Sequence, residues 1–209
     1  MAAVSGQSAH DGPAEGTGSE SAPVAFREAV AALRGARVRP AVRIGDTPAP
    51  RRLAPYAFAL SATVEVDGEE LADGQLVLLH EPGGHEAWHG DFRLVTLARA
   101  ELEPEIAGDP LLSEVAWTWL LDSLEQYGAE LTEPSGTVSR CSSQYFGAMA
   151  ERPASTELEL RASWTPVDGR LERHLAAWGE LLCTCAGLPP SAPASGVVPM
   201  PTRRPRHGA

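Results

Sequence analysis

Lysine and asparagine are absent from the chain, and all 17 basic residues are arginine. Without lysine there is no P-loop phosphate clamp, no Schiff base to a carbonyl or pyridoxal group and no kinase-type Lys–Glu pair. A Gly-rich dinucleotide fingerprint and a G-x-S-x-G nucleophile elbow are missing too, and no cofactor is expected. Long apolar runs are also lacking. The longest aliphatic stretch, Leu76–Leu79, falls far short of the roughly 18 residues a membrane helix needs, so no membrane partner is expected.

Cysteine is scarce. Three residues, Cys141, Cys183 and Cys185, leave one thiol over in any disulfide scheme, which fits a reducing compartment. The segment around Cys183-Thr184-Cys185 reads as helix, where positions i and i+2 diverge by about 200°. Cys185 is therefore expected in the core and Cys183 off it, which opposes a dithiol site. The opening residues, MAAVSGQSAHDGPAEGTGSES, show neither the basic nor the apolar region of a signal peptide, and the cytoplasm is the expected location. A net charge of −11 argues against a partner held by a broad basic surface, so DNA is not expected.

What is present suits one domain of ordinary size. Residues 1–22 and 189–209 are small, polar or Pro-rich and are expected to be disordered; residues 23–188 form the expected domain. Phe26, Val30 and Leu33 predict a helix over Pro23–Arg34 that Gly35 stops. Phe58 to Val66 alternates up to Asp67-Gly68, and a second Asp-Gly at 73 and 74 precedes QLVLLH. FRLVTLARAEL, residues 92–102, completes a three-stranded meander. Asp109-Pro110 starts a helix that buries Leu112, Val115, Ala116, Trp119, Leu120 and Leu124. Strands follow around Thr137–Ser142 and over TELELRASW, and then a helix with Leu171, Leu175, Trp178, Leu182 and Cys185 on one stripe. The reading is an α+β fold with a mainly antiparallel five-stranded sheet and three helices, in the order α-β-β-β-α-β-β-α. This order resembles that of type III secretion chaperones. That likeness is topological, and it implies small proteins that dimerise and hold partner segments.

One stretch carries a catalytic spelling. His85-Glu86-Ala87-Trp88-His89 fits the H-E-x-x-H of zinc peptidases, in which a helix sets two imidazoles on one face. Here Gly83-Gly84 and Gly90 bracket the motif and strands flank it, so no stable helix is expected over so short a run. A looser metal site from His80, His85, His89 and Asp91 is one expectation for this hairpin; the other is a polar connection whose Trp88 folds onto the sheet edge.

Arg37, Arg39, Arg43, Arg51 and Arg52 lie in one Pro-rich segment with a single acid, Asp46. They are candidates for anion or RNA contact, although no aromatic residues interleave to stack bases. The alternative is a solvated connection whose arginines pair with acids elsewhere. Ser139–Ser143 and the Glu157/Glu159 pair read as polar strand faces, and His174 as a surface or boundary residue.

RIGDTPAPRRLAPYAFALSATVEV, LVLLHEPGGHEAWHGDFRLVTLARAELEPEIAGDPLL, GTVSRCSS and WGELLCTCAGLPP with GVVPMP together resemble an actinobacterial family known only as a domain of unknown function, the three-thousandth of that series. The resemblance spans roughly residues 24 to 202. It implies no catalytic residue or activity, and it hints at RNA processing through neighbouring genes for a ribonuclease-D-like exonuclease. The expected role is a cytoplasmic, non-catalytic binding or adaptor module with a protein partner, a homodimer among them. A metal-dependent function of the His80–Asp91 loop and an RNA-processing accessory using Arg37–Arg52 are the alternatives.

Overall fold

The computed structural model describes residues 22–191. The expectations for residues 1–21 and 192–209 lie outside the described residues. Residues 189–191 are held in place, as shown below. Helices are α1 (Val24–Arg34), the single turn α2 (Pro104–Ala107), α3 (Leu112–Gln126) and α4 (Leu171–Cys185). Strands are β1 (Val42–Thr47), β2 (Tyr56–Val66), β3 (Glu69–His85), β4 (Gly90–Leu102), β5 (Leu131–Ser143) and β6 (Ser155–Pro166).

The strands form one antiparallel sheet of order β1-β2-β3-β4-β6-β5. The sheet has six strands where the sequence predicts five. The extra strand is β1, inside the Arg-rich segment. Among the described residues it is a short edge strand pairing only with β2, and of its side chains only Val42 is buried, so it leaves almost no alternating pattern to read.

The even-numbered positions of β2, β3, β4 and β6 build the core: Leu60, Val64, Leu76, Leu78, Leu94, Ala98, Leu158, Leu160 and Trp164 are almost fully buried under the helices. On the opposite face Ala59, Val77 and Leu79 form a smaller apolar cluster, covered by Ala49 and Ala54 of the β1–β2 connection and by Trp88.

The two Asp-Gly pairs behave differently. Asp67 (φ 53°) and Gly68 (φ 87°) make the hairpin turn. At Asp73-Gly74 the strand runs straight through, because a side chain at Gly74 would meet Leu182 Cδ2 at 2.8 Å and Trp178 Cζ2 at 3.0 Å. Glycine there admits α4 to the sheet. That helix is enclosed over most of its circumference, and Cys183 is buried along with Cys185, contrary to the stripe expected from the sequence. Loss of solvation raises both thiol pKa values, that of Cys185 to about 12.

Candidate functional site

The H-E-x-x-H stretch is the connection between β3 and β4. His85 ends β3 opposite Gly90, Glu86–Trp88 form one 3₁₀ turn, and His89 takes the left-handed conformation (φ 53°, ψ 36°) that reverses the chain. His85 stacks on Trp88 with ring centroids 4.4 Å apart. His89 Nδ1 lies 3.2 Å from Glu133 Oε1. His80 sits below the loop, 3 % exposed, stacked 4.2 Å from Phe92 and 5.9 Å from Phe26, with Tyr56 tilted beside it. Its Nδ1 faces the Asp91 carbonyl at 3.0 Å. The structure therefore gives His80, His85, His89 and Asp91 separate neighbours and does not bring them together. Among the described residues no three His, Cys, Asp or Glu side chains are grouped as metal ligands.

A cleft of about 610 Å³ opens beside this loop, between the β4 start, the β6 end and α1, and Glu28, His89, Asp91 and Asp168 border it. Its floor is anchored through Arg93. That guanidinium is buried and donates to Thr165 Oγ1 (3.0 Å), Ser135 Oγ (3.1 Å), Ser163 Oγ (2.8 Å) and the Ser163 carbonyl (3.2 Å). Thr165 in turn donates to the Trp88 carbonyl and fixes the turn.

The arginine candidates separate as well. Arg39 reaches the buried Glu180 at 3.3 Å and the Pro189 carbonyl at 3.0 Å. Arg43 pairs with Glu65 across the β1–β2 ladder at 2.7 Å. Arg37, Arg51 and Arg52 are exposed, and Arg52 holds a positive φ of 70°.

The structure also assembles a feature that the sequence reading missed. A groove of about 780 Å³ lies between α1 and the start of β2, lined by Phe26, Arg27, Val30, Arg34, Tyr56 and Phe58. Arg27, Val30, Ala31 and Arg34 follow the i, i+3, i+4, i+7 rule and form a second stripe on α1 beside the buried one. That spacing was legible in the sequence; the aromatic wall from β2 was not. The rings are largely engaged: Phe58 carries the Arg34 guanidinium 4.9 Å from its centroid, and Phe26 faces His80. Arg34 also pairs with Asp46, and Arg27 donates to the Ala22 carbonyl at 3.3 Å. What the groove offers is apolar side-chain surface beside an α1 stripe that carries Arg27 and the Arg34–Asp46 pair.

Residues 22–197 match the family model described as "Protein of unknown function (DUF3000)". No curated protein and no solved structure matches the chain. No helix among the described residues is long and apolar enough to cross a membrane.

Proposed function

From the chain's membership of the DUF3000 family, whose description assigns no activity, we propose a role on physical grounds: a non-catalytic binding module that holds an acidic, amphipathic segment of a partner protein in the groove between α1 and β2. The observation that carries this reading is the placing of Arg27 and Arg34 along an apolar groove in a chain of net charge −11. Apolar anchors at helical or extended spacing fill such grooves, and rim charges select the partner's sign. Base stacking is the weaker reading, because the Phe58 and Phe26 faces are already covered by Arg34 and His80.

The histidines support the non-catalytic part of the proposal. His80 is stacked among aromatic rings, and His174 is sealed in the core against Trp164.

The test is selection from a displayed library of random peptides on the purified chain, beside a fluorescein-labelled oligouridine in an anisotropy titration. Acidic sequences with regularly spaced apolar residues are expected to enrich, and enrichment should vanish with Val30→Asp and with Arg27→Glu. Enrichment indifferent to both substitutions, or saturable oligouridine binding without peptide selection, would overturn the proposal.

A further inference from the structure

We propose that the free edge of β5 pairs with β5 of a second copy of this chain, across a two-fold axis at Ser139, giving one continuous antiparallel sheet. Among the described residues β5 is the outer strand, bonded only to β6. Such an edge presents unpaired N–H and C=O groups to any strand that approaches, and proteins guard edges with charge, proline or bulges. Here the guards stand at one end: Glu133 (φ 51°), Pro134 and the register shift between Thr132 and Ser135. The run that follows, SGTVSRCSS from Ser135 to Ser143, is exposed everywhere except Val138. Its one charge is Arg140, whose guanidinium is drawn away to the carbonyls of Ala107 (2.8 Å) and Asp109 (3.1 Å).

Self-complementarity of the run selects a second copy as the occupant. Two chains of net charge −11 repel over most of their surface and meet most readily where that surface carries no acid, and this run has none, its one charge being the Arg140 guanidinium held by backbone carbonyls. Antiparallel pairing about Ser139 sets Ser135 opposite Ser143, Gly136 opposite Ser142, Thr137 opposite Cys141 and Val138 opposite Arg140. Small side chains meet everywhere except at the two Val138–Arg140 pairs, and no like charges stand directly opposite one another.

The flanks agree. Five of the eight exposed large hydrophobic residues among those described, Ile106, Leu111, Val115, Phe146 and Met149, lie on the two segments beside this strand. One is the entry to α3, tied to β5 through Arg140, and the other is the connection leaving the strand's end. Phe146 is 75 % exposed, and a copy docked on this edge gives these side chains a surface to cover. The site lies toward the opposite edge of the sheet from the groove at β2, so the two proposals stand or fall separately.

The test uses Ser139→Cys in a Cys141→Ser background, which leaves position 139 as the one exposed cysteine among the described residues. Mild oxidation is expected to give a disulfide-linked dimer, and Thr47→Cys on the β1 edge in the same background is expected to give none. Sedimentation of the unmodified chain over a concentration series should show a monomer–dimer equilibrium. Ser139→Lys and Ser139→Glu should each weaken it at least about tenfold, and mixing the two should restore it; unchanged thermal melting confirms that the variants fold. A monomer at every concentration, equal cross-linking from both edges, or a dimer indifferent to Ser139→Lys overturns the proposal.

Discussion

The indole Nε1 of Trp164 donates a hydrogen bond to His174 Nδ1 at 3.1 Å, and both side chains are completely buried. An accepting Nδ1 requires the neutral imidazole with its proton on Nε2. Loss of solvation pushes the His174 pKa down to about 4, against a weaker upward pull from Asp168. The unfolded chain takes up this proton near pH 6.5, whereas the folded chain resists it until about pH 4. Stability from this residue is thus present above pH 6.5 and lost as pH falls towards 4. The expected loss between pH 7 and pH 5 is on the order of 2 kcal/mol. Urea midpoints at the two pH values measure it, and His174→Gln should flatten that dependence while lowering stability at pH 7.

Gly74 makes a second test of the core. An added methyl would strike Leu182, Trp178 and the Leu97 carbonyl, each at 3.0 Å or closer. Gly74→Ala is expected to cost about 1–3 kcal/mol through overpacking between β3 and α4. Gly68→Ala has open space around it but a φ of 87°, so its cost, about 1 kcal/mol, should be conformational strain. Thermal melts of the two variants, with near-ultraviolet circular dichroism to read tryptophan packing, separate the causes: only Gly74→Ala should disturb the signal of Trp178.

These residues also show where the sequence was readable. The alternation in TELELRASW sets which of its side chains are buried, because one face of β6 meets the core consistently. Two identical Asp-Gly pairs could not be told apart, since what distinguishes them is a helix arriving from about a hundred residues later. The sequence places His174 at a boundary because one buried stripe is expected of its helix, whereas α4 is covered on nearly every side. The sequence places Val115 in the core, yet it is 40 % exposed, because α3 buries only the stripe through Leu112, Ala116, Leu120 and Leu124. The groove depended on which helix face meets β2. That is a tertiary fact, and only the spacing of Arg27 and Arg34 foreshadowed it.

The three histidines of the hairpin region should respond unequally to truncation. His80 is buried in an aromatic stack, so His80→Ala opens a cavity and is expected to cost about 2–4 kcal/mol. His85 and His89 are exposed, and alanine at either should change stability by less than about 0.5 kcal/mol. A shared metal predicts a different pattern, with coupled losses and stoichiometric metal in the untagged protein that disappears in the His85→Ala and His89→Ala double variant. Melting curves with elemental analysis decide between the two patterns.

Glu180 is 2 % exposed and binds the segment that follows α4. Its carboxylate accepts from the Ser191 N–H (2.9 Å) and hydroxyl (2.7 Å), from Tyr127 (3.3 Å) and from Arg39 (3.3 Å). Glu180→Ala leaves a half-buried guanidinium without its counter-charge and is expected to cost about 3 kcal/mol. Glu180→Gln keeps the shape and part of the bonding and should cost less. Limited proteolysis around residues 186–191 should be faster in both variants, and fastest in Glu180→Ala.

Arg93 offers the sharpest test of how the hairpin is held. Loss of solvation lowers its pKa, with Glu133 acting against that, and its four acceptors are neutral hydroxyl and carbonyl oxygens, not carboxylates. Removing the side chain strips the donors from Ser135, Ser163 and Thr165 and leaves Thr165 free to swing away from the Trp88 carbonyl. Arg93→Ala is expected to destabilise by about 2–4 kcal/mol through lost packing and bonding together. Arg93→Met restores the apolar stem and should recover part of that stability. It cannot recover the anchor, because a thioether donates nothing to Thr165. Hydrogen exchange at His89 and Gly90 is therefore expected to quicken in both variants while global stability differs between them. Equal exchange in Arg93→Met and the unmodified chain would show that packing alone holds the turn.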